Sequence, residues 1–565
     1  MIKGKGVSIG IGFGNVVLIK NEERKIEKDT IEDTNAEIDR FKKALKDVET
    51  ETKEIVEKKT GTEKEIMSAY LMILEDPALI QETEKGIQDL KYNAEYAVEI
   101  GFNSVIQIFE NMNDEYMASR SRDIADIKNR ILAKLLKEEV VKLNKLEPNT
   151  IIVATELTTS DTAKLDFENI EGIITELGGT NSHTSIMART RNIPAITKVE
   201  NATKIFRKGD FIGIDGEKGE IYLNPSKEEK EKLEKKKELI SKEKQELEKY
   251  KEEVTKTADG YVVELVANIG TPADVETILK NTAEGVGLLR SEFLYMDSAN
   301  MPSEEEQYLA YKQIAEKLEG RPAIIRTLDV GGDKEVKYLQ LEKEANPFLG
   351  YRAIRLCLDN IMIFKTQLRA ILKASAYGNL SIMFPMISSI EELREAKRVL
   401  EECKKELDSE NIKYKKDIKV GIMIEIPSAA LISYGLAKEC DFFSIGTNDL
   451  IQYTVAVERG NEKIANLYTK FHPAVIKLIK QAIDGAHDAG IFCGMCGEAA
   501  GDELYIPLLI GLGLDEFSMN SNNILKARKR ISELEKSDCK ELADEILKMN
   551  SAKEVEERLR KFSIK

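Results

Sequence analysis

The side chains equipped for chemistry in this chain fall in two places, and the first is a single histidine. His183 stands in ELGGTNSHTSIMAR, between a β-branched run and a helix-like segment. Gly178 and Gly179 let the backbone turn tightly after the strand, and Ser182 or Thr184 is placed to cap the helix that follows. A helix N-terminus presents unpaired amides and the positive end of the dipole, so it favours a bound anion and disfavours an imidazolium. The ring then stays neutral with a nitrogen free to attack, which suits a histidine that becomes phosphorylated. The other two histidines, His472 in FHPAV and His487 in AHDAG, read as structural or exposed. Gly10, Gly12 and Gly14 lack the GxGxxG spacing and carry no dinucleotide signal.

The second place begins at Gly260, where strand-like runs alternate with helical stretches. VVELVANI, GVGLLR, AIIRTLD, LSIMFPM, KVGIMIEI, DFFSIGT, IFCGMCG and DEFSMN make eight strands. Eight in about 300 residues is the count and size of a (β/α)8 barrel, with a doubly wound open sheet as the rival. Arg290, Arg326, Asp329, Glu425, Asn448, Asp449 and Cys496 fall at or just past the strand ends, the face that carries the active site of a barrel. Arg290, Arg326, Arg352 and Arg459 would supply guanidiniums for a dianionic phosphate or a carboxylate. Glu425 and Asp449 offer hard oxygens to one small divalent cation, with substrate and water completing the shell, and Mg²⁺ fits better than zinc. Such a cation would polarise a phosphoryl group and neutralise charge as it transfers. Cys493 and Cys496 form a CxxC with no second pair to complete a zinc site, so Cys496 reads as an acid or nucleophile. The expected ligand is small, anionic and phosphorylated. Oxidation linking Cys493 to Cys496 would silence the barrel.

The elements that must position these groups follow from composition. A chain of 565 residues has room for three or four folding units, and 42% hydrophobic against 33% charged residues is a globular balance. Thr30 to Leu146 reads as a helical bundle, with Ile38, Phe41, Leu45 and Val48 on one face. Thr150 onward switches to short β-branched runs and hairpin punctuation, a small α/β unit. Ser226 to Lys256 reads as one long solvated helix with Leu233, Ile240, Leu247 and Val254 seven apart. The net charge of −16 repels phosphate backbones and acidic lipid, which argues against nucleic acid as a partner. No apolar run is long enough to span a bilayer, so a soluble, cytoplasmic protein with no membrane association is expected, its six cysteines reduced.

Taken together, GGTNSHTSIMAR, GVGLLRSEFLYM, RTLDVGGDKE, NPFLGYRAIR, DFFSIGTNDLIQYTVAVERGN, CGMCGE and GLDEFSMN resemble Enzyme I of the bacterial phosphotransferase system, the phosphoenolpyruvate-protein phosphotransferases. The resemblance runs in order through essentially the whole chain. It implies a phosphohistidine α/β domain at 1–28 and 147–225, interrupted by a helical subdomain at 29–146 that docks the phosphocarrier protein HPr. A linker helix at 226–259 then leads to a TIM-type barrel at 260–565 that binds phosphoenolpyruvate and Mg²⁺ and forms a homodimer. It further implies that phosphoenolpyruvate phosphorylates His183, that pyruvate leaves, and that a mobile α/β domain carries the phosphoryl group to HPr in the first step of sugar uptake. Matched motif by motif, Glu425 and Asp449 are metal ligands, and Arg290 and Arg326 clamp phosphate and substrate. Asn448 and Arg459 match substrate-binding positions, and Cys496 matches the acid that protonates enolpyruvate.

The chain departs from the family pattern at Thr180 and Asn181, where Arg-Thr is common, at Tyr70, where many members carry a histidine beside the docking surface, and at Glu458. Alternatives are a related phosphotransferase serving a regulatory carrier, and a non-catalytic sensor of the phosphoenolpyruvate to pyruvate ratio. A nucleotide-dependent synthase or dikinase is disfavoured because the segment before His183 is helical and has no GxxxxGK[ST] loop.

Overall fold

The computed structural model describes residues 1–19, 26–58, 61–110, 115–138, 143, 145–179, 183–296, 300–332, 336–339, 341–342, 344–459, 461 and 463–564. They divide into two compact units, residues 1–244 and 245–565.

The first unit is built on an eight-stranded sheet: β1 (Ile2–Lys3), β2 (Lys5–Ser8), β3 (Ile11–Ile19), β4 (Thr150–Ala154), β5 (Ile170–Thr175), β6 (Ala195–Thr197), β7 (Phe211–Asp215) and β8 (Glu220–Leu223). Its order is β1-β8-β7-β3-β4-β5-β6-β2. β3, β4, β5 and β6 run parallel, and the Val and Ile run of β4, buried throughout, is what a strand covered on both faces requires. β3 and β4 are parallel neighbours, and the whole helical bundle lies between them in sequence. Its helices are Thr34–Lys58, Gly61–Leu74, Pro77–Gln88, Ala94–Glu110 and Glu115–Leu135. Phe41 and Val48 of the expected face are fully buried, and Ile38 and Leu45 pack partly buried against the same core.

The second unit is a closed barrel of eight parallel strands: β9 (Glu264–Ile269), β10 (Val286–Arg290), β11 (Ala323–Arg326), β12 (Leu380–Phe384), β13 (Lys419–Ile424), β14 (Phe442–Ile445), β15 (Phe492–Met495) and β16 (Glu516–Met519). β16 closes on β9 through Glu516↔Glu264 to Met519↔Ala267. These are the eight runs read from the sequence, and closure excludes the open sheet. Residues alternate between two cores, as the two-residue period of a strand dictates. Leu265, Ile325, Ile422 and Phe443 face the surrounding helices, while Leu288, Ile324, Met383, Met423, Phe442 and Cys496 fill the interior.

The charged helix is shorter than its heptad spacing predicts. It spans Lys227–Leu247, followed by a 3₁₀ turn at Glu248–Tyr250, and Val254 is exposed rather than on a continuing face. The buried Arg528 donates from Nη1 to the carbonyls of Tyr250 (2.9 Å) and Lys251 (3.2 Å) and from Nε to Thr255 Oγ1 (3.0 Å). A guanidinium on these carbonyls satisfies the end of the helix and stops it there.

Candidate active site

Arg326 ends β11, and three residues later Asp329 turns back toward it. Asp329 Oδ2 accepts from Arg326 Nη1 at 3.0 Å, and its Oδ1 accepts from Arg352 Nη2 at 2.9 Å. One carboxylate therefore holds two guanidiniums, all three groups being buried. Arg326 also pairs through Nη2 with Glu292, two residues beyond β10. Arg352 reaches on through Nη1 to Asp449 Oδ1 (3.4 Å) and to the Tyr453 hydroxyl (3.3 Å). Arg352 lies not at a strand end but just before the helix Ile354–Asp359, so a loop delivers it to the mouth. Burial works against charge on Arg326, yet the carboxylates of Glu292 and Asp329 hold its pKa above the ordinary value.

Glu425 follows β13 and is buried, with Oε1 accepting from the Met386 amide at 2.7 Å. Burial, then the negative charges of Asp449 and Asp329, push its carboxyl up to about 8 against the opposing pull of Arg326 and Arg352. Gly446 leaves room beside Glu425, since a Cβ there would lie 2.9 Å from Oε2. The helix Thr447–Val455 starts immediately after and carries Asn448 and Asp449 on its first turn. Among the described residues no three His, Cys, Asp or Glu side chains group as a metal cage. Two carboxylates that repel each other, one buried and one half-buried, nonetheless fit a small oxygen-seeking divalent cation, which would take the rest of its shell from substrate and water.

Cys496 follows β15, its amide donating to the Ile445 carbonyl at 3.1 Å. Burial pushes the thiol up to about 11, against the pull of the neighbouring Ser444 hydroxyl and the charge of Arg326. Cys493 packs in the outer core, whereas Cys496 belongs to the barrel interior. The alternation of β15 sends the two side chains to opposite faces, so a bridge between them is not supported. The next residue, Gly497, admits no side chain, because a Cβ would lie 1.8 Å from Thr447 Oγ1 and 2.7 Å from Thr447 N. Gly497→Ala is expected to push back the turn carrying Asn448 and Asp449 and to cost about 1–3 kcal/mol of barrel stability. Urea titration reads the cost, and an unchanged midpoint would show that this contact relaxes freely.

Arg290, Asn448 and Arg459 stand further out. Arg290 ends β10 exposed and lines a cavity of about 460 Å³ with Asn268, Gly497, Glu498, Asn520 and Asn523. Asn448 Nδ2 donates to Glu498 Oε1 at 3.4 Å, and Arg459 Nη1 lies 4.0 Å from the same oxygen. Arg459 follows the helix Thr447–Val455 rather than ending a strand. The mouth therefore gathers buried Arg326, Arg352, Glu425 and Asp329 with the half-buried Asp449, and Arg290, Asn448 and Arg459 stand at its rim. His183 belongs to the other unit, where it opens the helix His183–Arg191. Gly178 has φ +102°, a conformation that favours glycine, and Ser185 Oγ donates to the Gly179 carbonyl at 2.7 Å. Among the described residues, the Ser185 hydroxyl thus ties this turn to the helix. The His183 side chain, Thr180, Asn181 and Ser182 lie outside the described residues.

Comparison with known proteins accounts for all three parts of the chain. Family profiles of phosphoenolpyruvate-utilising enzymes match residues 3–120 (N-terminal domain), 146–219 (mobile domain) and 231–536 (phosphoenolpyruvate-binding domain). The phosphoenolpyruvate-protein phosphotransferases of Priestia megaterium and Bacillus subtilis are each 46% identical over 98% of this chain, covering 97% and 98% of their own length. The chain belongs to the phosphoenolpyruvate-protein phosphotransferases. A solution NMR structure of Enzyme I (nEIt) is 36% identical and covers 43% of this chain and 100% of its own, with a TM-score of 0.40.

Within this phosphotransferase chain, Tyr70 is a core residue of the helical bundle. The ring is buried in the bundle core and its hydroxyl donates to Asp123 Oδ1 at 3.1 Å. Glu458 is exposed beside Arg459. His472 caps the helix Pro473–Asp488, its Nδ1 accepting from the Ala474 amide at 3.2 Å, and His487 pairs with Asp515 at 2.8 Å. Sequence reasoning missed Glu292, Tyr453 and Glu498 as partners of the arginines and Asn448. Glu292 and Glu498 each lie two residues from a residue that was singled out, so their proximity to strand ends was a usable signal. Tyr453 lies one helical turn after Asp449 on the helix Thr447–Val455, so its i,i+4 spacing from a singled-out carboxylate was the usable signal. Among the described residues no helix is long and apolar enough to cross a membrane.

Proposed function

We propose that this chain transfers the phosphoryl group of phosphoenolpyruvate to His183 and from there to a histidine of HPr, releasing pyruvate as the first step of sugar uptake in the cytoplasm. The observation that carries this reading is the buried network at the barrel mouth, where Asp329 holds Arg326 and Arg352 side by side above Glu425 and Asp449. Paired guanidiniums fixed in this way suit the oxygens of a phosphate and a carboxylate on one small molecule. Arg290, Asn448 and Arg459 at the rim would close on the same ligand. Glu425 and Asp449 would hold Mg²⁺, which when bound polarises the phosphoryl group and offsets its charge.

His183 presents a neutral ring nitrogen to phosphorus. The P–N bond forms as the bond to the enol oxygen breaks, that oxygen becomes the pyruvate carbonyl, and the double-bond pair at C3 takes a proton. Cys496 supplies it, and water returns a proton to the thiolate. A thiol pushed up to about 11 by burial keeps its proton at neutral pH, as a donor must. Since the donor works only while protonated, activity falls as pH rises through that pKa. The pyruvate-forming step should show no falling limb near the ordinary cysteine pKa of about 8.5. Stopped-flow turnovers between pH 6 and 10 check this, and a limb near 8.5 in wild type but not in Cys496→Ala would contradict the environment described.

The direct test is incubation with phosphoenolpyruvate carrying radioactive phosphorus and Mg²⁺, followed by HPr. Acid-labile label on the chain that passes to HPr is expected, together with its loss on metal chelation. Label that forms but passes only to a different carrier would assign the chain to a regulatory branch. No label would overturn the reading. Sedimentation of the full chain checks the homodimer expected through the barrel.

A further inference from the structure

Asn268 on β9 does work that its own strand does not need. Its Nδ2 donates to the Cys496 carbonyl at 3.0 Å and, more weakly, to the Ser518 carbonyl at 3.4 Å. Its Oδ1 accepts from Ser518 Oγ at 2.6 Å. This orientation is the one that satisfies every partner, because carbonyls only accept and the amide oxygen must face the hydroxyl. β16 lies between β9 and β15, so Asn268 reaches across a whole strand to take hold of the residue that follows β15. The β15–β16 pairing ends at Met495↔Phe517, so Cys496 leaves the ladder just where Asn268 takes its carbonyl. On its other side the Cys496 amide donates to Ile445 of β14. Cys496 is thus pinned through its amide by β14 and through its carbonyl by β9. Asn268 also lines the cavity that contains Arg290, so the pin sits beside the substrate space.

We propose that Asn268, locked by Ser518, is a positioning residue that aims the Cys496 thiol at C3 of enolpyruvate. This rests on the reading of Cys496 as the proton donor. A misaimed donor slows turnover without removing phosphoryl transfer, and lets enolpyruvate escape and take its proton from water without facial preference. Phosphoenolpyruvate carrying one deuterium at C3 in a single geometry, turned over in tritiated water, therefore gives a chiral methyl group when the enzyme protonates and a racemic one when water does.

Wild type is expected to give chiral pyruvate and Cys496→Ala racemic pyruvate. Asn268→Asp keeps the shape, removes the donor and sets a carboxylate against two carbonyls, so mostly racemic pyruvate is expected, with kcat down about tenfold to a hundredfold. KM for phosphoenolpyruvate should move less than about threefold, because binding is left to the arginines. Ser518→Ala, which unlocks the amide without adding charge, should give a partial loss of chirality and guards against Asn268→Asp failing to fold. Full chirality in both variants with Cys496→Ala racemic would overturn the inference alone. Chiral pyruvate from Cys496→Ala would remove the donor reading and the inference together.

Discussion

A His183→Ala chain is expected to take no phosphoryl group from phosphoenolpyruvate while still binding it. The imidazole is the only group of this chain that forms a bond to phosphorus in the proposed scheme, so its loss removes the covalent route rather than slowing it. Loss of a nucleophile costs on the order of 10⁴-fold or more in rate, which takes label incorporation to background. The barrel mouth belongs to a different compact unit, residues 245–565, so its network of Arg326, Asp329 and Arg352 should be untouched. Calorimetric titration with phosphoenolpyruvate and Mg²⁺ should therefore give an affinity close to wild type. Label retained on the variant, mapped to another residue, would sink the assignment of His183. Lost binding would instead mean that the variant damaged more than the nucleophile.

The second large effect is expected at Asp329, a residue that makes no bond in the reaction. Its two oxygens hold Arg326 at 3.0 Å and Arg352 at 2.9 Å, and each of the three is almost wholly removed from solvent. Asp329→Ala leaves two buried cations facing each other across the gap, and breaking a buried pair by removing one partner costs about 3–5 kcal/mol. The same change frees both guanidiniums from the geometry that a bidentate anion needs, so affinity for phosphoenolpyruvate should fall about a hundredfold. Asp329→Asn keeps the shape and some hydrogen bonding, and is expected to recover part of the stability but little of the affinity, since the neutral amide cannot balance two charges. Urea unfolding of the barrel and calorimetry on both variants give the two numbers. Stability within about 1 kcal/mol of wild type, with affinity unchanged, would show that Arg326 and Arg352 are held by other groups.

Much of this arrangement was legible in the amino-acid order because it follows local rules. Strand periodicity and turn residues gave the eight barrel runs, and Arg290, Arg326, Glu425 and Cys496 stood out because polar groups at the ends of apolar runs must have a use. The Gly-Gly turn and the helix beginning at His183 were readable for the same reason: one positive φ and a run of helix formers are properties of a few adjacent residues. The expected span of the charged helix was too long, because its end is set by Arg528, which lies far along the chain.

What the sequence by itself determined, then, is the set of elements and the chemical types at their ends. Only the tertiary structure decided which charges meet. Asp329 joining Arg326 to Arg352 and Tyr453 reaching Arg352 depend on how loops and helices pack at the mouth, and Asn268 reaching over β16 to Cys496 depends on barrel closure. Closure brings residues more than two hundred positions apart within hydrogen-bonding distance, and no periodicity along the chain records that approach. The depth of the Tyr70 ring in the bundle core shows the same limit. A helix pattern says which face is apolar, but the neighbouring helices decide how deep each position lies.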